Sequence, residues 1–347
     1  MISLKWIIII LITQLIIFYF FNKFIKKNEL NTYSAIQKIH SGEIPRIGGL
    51  IFFIPFVVYL TSVISNTSLN LKPLLISGII IFIFSFYEDM RQSLSPKFRL
   101  IIIFIAVFLF CNLIELPNIN IPLLDSITQF LMIKKLIFIL SIMLIINGFN
   151  FIDGLNGLSS FNFLTILTGN YYLAYFYNDI TILNFILNLG VLSLTALVFN
   201  FPLGKVFLGD SGSYLFAFIA GSITIIIFHR NPEIPTLLAL LILAYPITEM
   251  IFSISRKLFK GISPMSPDTY HLHHLVYKNI FGMSKLTKNN LASILMAPIW
   301  ICPLLLTYIS INYHFLNNLI LYIGYFLLYL IIYFLLSGRL INSSFKN

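Results

Sequence analysis

The sequence predicts an all-α polytopic membrane protein of about 11 transmembrane helices. Of its 347 residues, 59% are apolar and only 10% charged, far from the soluble globular norm. Eleven apolar stretches approach the roughly 20 residues that a span requires. The basic residues, in turn, crowd into alternate connections between those stretches.

The stretches centre near residues 13, 57, 79, 106, 139, 168, 189, 217, 244, 301 and 327. The first has no small-residue cleavage site and is followed by Lys23, Lys26 and Lys27, so it reads as a retained anchor. The sixth, with Asn162, Thr168 and Asn170, is the weakest. The odd-numbered connections and the C-terminal tail carry 17 Lys and Arg, including Lys38, Arg46, Lys97, Arg99 and Lys346; the even side, with Lys5, carries five. By the positive-inside rule the odd connections are cytoplasmic, the N-terminus outside and the C-terminus inside. In the fourth connection, CNLIELPNINIPLLDSITQ, prolines break any helix, and the segment is expected to run along the outer surface. Cys111 and Cys302 show no metal-ligand spacing and read as small apolar residues. The net charge of +10 marks topology, not a nucleic-acid partner. No repeat or soluble domain interrupts residues 1–347, which read as one integral membrane domain with a long cytoplasmic loop at 254–291.

Every polar cluster falls on the predicted cytoplasmic side. The first is IPRIGGL, where Gly48 and Gly49 either admit a close neighbour to the backbone or simply permit tight helix packing. In the second, YEDMRQSLSPKFRL, Glu88 and Asp89 end a span and precede Lys97 and Arg99. Adjacent acids with nearby cations can hold a divalent ion and its phosphates, since Mg2+ takes one or two carboxylates plus phosphate oxygens; a solvated helix end is the bland alternative. The third, NGFNFIDGLNGLSS from Asn147 to Ser160, sets Asp153 and Asn156 one helical turn apart in a glycine-rich knot, which is either a site or a tight loop.

The fourth, NFPLGKVFLGDSGS from Asn200, places Asp210 between glycines at a helix start, where free N–H groups meet anions and a carboxylate meets metal. Helix capping is the rival role for Asp210. Fifth is SPDTYHLHHLVYK, whose His271, His273 and His274 lack a cysteine companion; adjacent histidines cannot both face one ion from regular structure, which argues against zinc. Phosphate or nucleotide contact and a solvated surface segment stay open for them. Glu249, beside Pro246 near the inner end of the ninth stretch, is an intramembrane acid and so a functional candidate.

PRIGG, an acidic pair followed by SPK, NFIDGLNGL, FLGDSGS and PDTYHLHH, in that order over roughly residues 40–280, resemble the polyprenyl-phosphate N-acetylhexosamine-1-phosphate transferase family, bacterial glycosyltransferase family 4. Its groups make the first lipid-linked intermediates of O-antigen, enterobacterial common antigen, teichoic acid and peptidoglycan. The form of the histidine motif is similar to the O-antigen and teichoic-acid branch. The resemblance implies an eleven-span enzyme of the bacterial cytoplasmic (inner) membrane. Its substrates would be a UDP-N-acetylhexosamine and undecaprenyl phosphate in the lipid bilayer, its cofactor Mg2+ or Mn2+. It implies Asp210 and Asp89 as metal ligands, Asp89, Glu88 and Asp210 as the catalytic acids with Glu88 and Asp89 beside the lipid phosphate, and Phe207 stacked on uracil. Asn150, Asp153, Asn156 and Asn200 would surround the nucleotide, with Lys97, His271, His273 and His274 on phosphates. Three departures stand out: Glu88 where the family has Asp, Asn156 where it has Asp, and Thr269 where it often has Arg.

A secondary transporter of an anionic solute would also use broken helices, but near the midplane and with inverted repeats. A CDP-donor transferase would need a dense aspartate run. GlcNAc, GalNAc and a 6-deoxy amino sugar each fit the resemblance, and a homodimer is compatible with it.

Overall fold

Apolar runs at membrane depth leave the backbone no hydrogen-bond partner but itself, and helix is the local solution. The computed structural model describes residues 4–27, 44–121, 124–264, 266, 268–313 and 317–344; Lys38, Pro267 and Lys346 lie outside them. The helices are α1 (Leu4–Lys27), α2 (Gly48–Ile64), α3 (Lys72–Arg91), α4 (Pro96–Leu113), α5 (Asp125–Thr128), α6 (Leu131–Ile152), α7 (Leu158–Phe176) and α8 (Ile180–Asn200). After them come α9 (Gly209–Arg230), α10 (Leu238–Ile242), α11 (Ala244–Phe259), α12 (Leu272–Lys278), α13 (Lys285–Leu295), α14 (Ala297–Asn312) and α15 (Asn318–Ser344). No strand occurs among the described residues.

Each of the eleven expected centres falls inside a helix. Seven described helices are long and apolar enough to cross a membrane, with α13 and α14 counted as one run. Trp6–Phe21 and Gly48–Ile64 are apolar but shorter. The ninth stretch is divided: α10 ends before Leu243, and α11 carries Pro246, which has no N–H to give the preceding turn.

α9 is the centre of the fold, with 94% of its most apolar window buried, and it packs on α2, α3, α6 and α7. Phe216 stacks on Phe163 at 4.3 Å between centroids and meets Phe52 edge-on at 4.8 Å, tying α9 to α7 and α2. The C-terminal α15 is held differently. Tyr325 and Tyr329, four residues apart and buried, aim hydroxyls at Ile299 O and Glu249, while Phe252 lies edge-on to Tyr333.

The segment before α2 is pinned to the start of α9. Gly48 N and Gly49 N donate to Phe207 O and Leu208 O at 2.8 and 2.9 Å, and Phe207 N donates to Pro45 O at 2.9 Å. The close neighbour that the glycines admit is therefore α9 itself. A Cβ on Gly49 would lie 2.5 Å from Gly212 N, a backbone atom that cannot step aside.

Gly49→Ala is accordingly expected to cost about 1–3 kcal/mol through overpacking, read as a lower Tm of the detergent-solubilised chain. Gly190→Ala, in α8 with nothing within 4 Å of the added carbon, should not lower Tm and is expected to raise it slightly through helix propensity. Equal Tm for Gly49→Ala and wild type would contradict the backbone contact.

Candidate active site

The first N–H groups of a helix have no partner within it. In α9 they are met from another helix: Asp89, at the end of α3, accepts Asp210 N on Oδ1 and Ser211 N on Oδ2, both at 2.9 Å. Asp89 is 1% exposed. Bringing a carboxylate so close requires a residue without Cβ at the turn; Gly209 sits at φ +77°, and a Cβ there would be 2.6 Å from Asp89 Oδ2. Asp210 is thus not the cap of its own helix, and the capping role expected for it belongs to Asp89. The N-cap residue, Leu208, makes no side-chain cap bond.

That arrangement leaves the Asp210 carboxylate for other partners, and its side chain is 18% exposed. Arg99 Nη1 donates to Asp210 Oδ2 at 2.7 Å and lies 3.8 Å from Glu88 Oε1. Arg46, carried by the PRIGG segment, reaches to 3.9 Å from Asp89 Oδ1. Glu88 also accepts Leu94 N on Oε2 at 2.8 Å, closing the turn behind Gln92, whose left-handed φ of 48° ends α3. Ser95 then caps α4, and Pro96 occupies its first position, so SPK is first of all a helix start. Three acids and two arginines converge where α3, α4 and α9 meet the segment before α2.

The NFIDGLNG knot borders this cluster. Asn150 Nδ2 donates to Tyr214 OH at 3.4 Å, one turn along α9 from Asp210. Asp153 follows α6; burial pushes its carboxyl up from 3.8 to about 7, and the charge on Asp210 adds to that, against the pull of Ser159 and Arg46. The histidines dock on the same knot. A Cβ on Gly154 would overlap His273 Nε2, and the His271 ring centroid is 5.1 Å from that of Phe151. His273 is fully buried, and burial with the neighbouring histidines drives it well below the usual range. The same causes, with Lys278 close by, lower His274 to about 3.

Two other expected site residues, Asn200 and Asn156, make hydrogen bonds within the protein. Asn200 accepts Gly157 N and donates to Val206 O at 2.7 Å, stitching α7's start to the segment before α9. Asn156, 1% exposed, donates its backbone N–H to Asn289 Oδ1 at 2.7 Å and Nδ2 to Asn290 Oδ1 at 3.0 Å, and its carbonyl accepts the Ser293 hydroxyl at 2.6 Å. The departure from Asp at this position thus comes with an amide-lined contact to α13. Phe207 is partly exposed and Lys97 exposed on α4. Asp268 is consumed by Arg256, which pulls its carboxyl below the ordinary value despite burial, and Arg256 also lies 5.8 Å from the Tyr270 ring centre.

Arg46 and Arg99 are the cations on the acids, yet the sequence offers them first as topological markers. A cation one turn inside a span beside an acidic pair was the available signal for Arg99. For Asn289, Asn290 and Ser293 no local pattern exists, because their partner is 133 to 137 residues away.

An apolar chain whose described residues are helical, with seven helices long enough to cross a membrane, is a multi-pass membrane protein, and its carboxylates and guanidinium groups gather at helix ends. Residues 71–228 match the family model described as Glycosyl transferase family 4. The chain is similar to the undecaprenyl-phosphate alpha-N-acetylglucosaminyl 1-phosphate transferase of Escherichia coli (strain K12), with 32% identity over 302 residues, 80% of this chain and 77% of the relative. Proteins of the same name match from Salmonella typhimurium (strain LT2), 30% identical over 260 residues (70% and 67%), and Thermotoga maritima, 26% over 259 residues (74% and 76%). The chain belongs to the polyprenyl-phosphate N-acetylhexosamine-1-phosphate transferase family.

Asp153 supplies a pH test. A carboxyl raised from 3.8 to about 7 keeps a proton in the folded chain that the unfolded chain has lost, so stability falls as pH rises between those values. Asp153→Asn, permanently neutral, should flatten the dependence of Tm on pH from about 4 to about 7. An unchanged slope would show that Asp153 is not the group responsible.

Proposed function

We propose that the protein transfers N-acetylhexosamine-1-phosphate from a UDP-sugar to undecaprenyl phosphate at the cytoplasmic face of the bacterial inner membrane. The observation that carries this reading is the Asp89–Asp210–Arg99 arrangement in a chain related over most of its length to transferases of that name. A phosphate oxygen of the lipid attacks the sugar-linked phosphorus, the bond from that phosphorus to the UMP oxygen breaks, and UMP leaves with that electron pair. Such chemistry asks the protein for positioning and charge neutralisation above all.

Mg2+, or Mn2+ in its place, fits the donor set. The oxygens are hard carboxylate donors, and a guanidinium already lies against both Glu88 and Asp210, so the site tolerates positive charge between them. Asp210 and Glu88 are the residues we assign to hold the ion. Asp89 keeps a lone pair on each oxygen but is committed to α9, which makes it a support for the ion and for the lipid phosphate. When bound, the ion neutralises phosphate charge. Arg46 and Arg99 supply further positive charge, and Lys97 stands exposed for a phosphate approaching from outside the cluster. Asn150 and Asp153 address the nucleotide in this reading, and Phe207 offers its ring to uracil.

The eleven apolar stretches, with the alternation of basic residues between them, support an N-terminus outside and this end of α3, α4 and α9 in the cytoplasm. A transporter gains no support, since the charged groups gather at helix ends.

The test is UMP release by the purified chain with undecaprenyl phosphate and a panel of UDP-sugars, UDP-GlcNAc first. Chelation by EDTA and Asp210→Ala are each expected to lower the rate about 100-fold or more. Full activity in either case would overturn the assignment of metal to Asp210.

A further inference from the structure

The matched family model ends at residue 228, and a buried polar relay lies wholly beyond it. Glu249 on α11 is 1% exposed. A carboxylate in such a place is costly unless its oxygens are engaged, and both are: Oε1 is 2.9 Å from His271 Nδ1, and Oε2 accepts the Tyr329 hydroxyl of α15 at 2.9 Å. A carboxylate facing Nδ1 at this distance accepts from an Nδ1–H, the contact that selects the Nδ1-protonated tautomer. Nε2, across the ring, is the nitrogen that Glu249 does not engage.

The surroundings separate His271 from its neighbours. Burial holds His273 and His274 low in proton affinity, whereas His271 has its Nδ1 2.9 Å from a Glu249 carboxylate oxygen. Other charged groups nearby are committed elsewhere: Arg256 to Asp268, and Lys257 Nζ to Pro264 O and Ser266 O at 3.0 and 2.8 Å. The His271 ring lies 5.1 Å from Phe151, two residues before Asp153.

We propose that Glu249 and Tyr329 are positioning residues of the transfer reaction: acting through His271, they hold its Nε2 in one tautomer and one orientation for the diphosphate of the nucleotide-sugar donor. The inference rests on the transferase reading above. It makes α15, far along the chain from the acids, part of the machinery.

The test uses the full chain in nanodiscs with UDP-GlcNAc and undecaprenyl phosphate. Glu249→Gln should lower kcat/KM for the donor about 10–100-fold, the size of effect that outer partners of a functional histidine exert, with KM for the lipid and Tm close to wild type. Tyr329→Phe, which removes one hydroxyl and keeps the ring, should act in the same direction by a smaller factor. In protein labelled with 15N-histidine, the His271 signal, assigned with His271→Gln, should report a protonated Nδ1 in wild type and shift in Glu249→Gln. An active wild type whose two variants match it in kcat/KM would overturn the inference. So would a His271 spectrum indifferent to Glu249→Gln, or activity losses that merely track equal losses of Tm. A wild type inert with every UDP-sugar would instead overturn the transferase reading itself.

Discussion

Everything at the site depends on Asp89 accepting the first two amides of α9. Two N–H groups that would otherwise be buried unpaired are satisfied by one carboxylate, and the helix dipole adds to the attraction. The bond fixes the end of α3 against the start of the most buried helix. It also divides the two acids, because each Asp89 oxygen already accepts an amide of α9 while the Asp210 carboxylate is partly exposed and faces Arg99.

The remaining clusters attach to that junction through small residues. Gly48 and Gly49 let the segment carrying Arg46 bond edge to edge with residues 207 and 208. Gly209 admits the carboxylate, and Gly154 admits His273. The backbone at this helix start is thereby engaged, and it is the side chains of Arg46 and Arg99 that set positive charge on the acids. The long loop with the histidines is in turn pressed against the knot by Arg256, Lys257 and the relay from Glu249 to α15.

Much of this was legible in the sequence, for physical reasons. Apolar length located the helices, and the cost of Asp89, Asp153, Glu249 and Asp210 near a membrane marked each as needing a partner. What could not be read was which partner. Asp89 and Asp210 look alike as acids near helix ends, and only the fold shows that one caps the other's helix 121 residues away. Asn156 and Asn200 look like polar site residues, yet their side chains close loops against α13 and Val206. The pairing of Asn with Asn and of Tyr with Glu across the bundle has no periodic signature, unlike the Ser95–Pro96 helix start, whose whole logic is local. Span counting met a similar limit at Pro246, where a single apolar stretch is divided between two helices.

The division of labour between the two aspartates is the central claim, and thermal unfolding of Asp89→Ala beside Asp210→Ala measures it most directly. Removing Asp89 leaves two buried amides unpaired, at about 1–3 kcal/mol each, so its variant should lose both activity and a clear increment of Tm. Asp210→Ala, which frees a partly exposed carboxylate site, should lose activity with Tm nearly unchanged. Equal Tm for Asp89→Ala and wild type, or a larger loss in Asp210→Ala, would contradict the account.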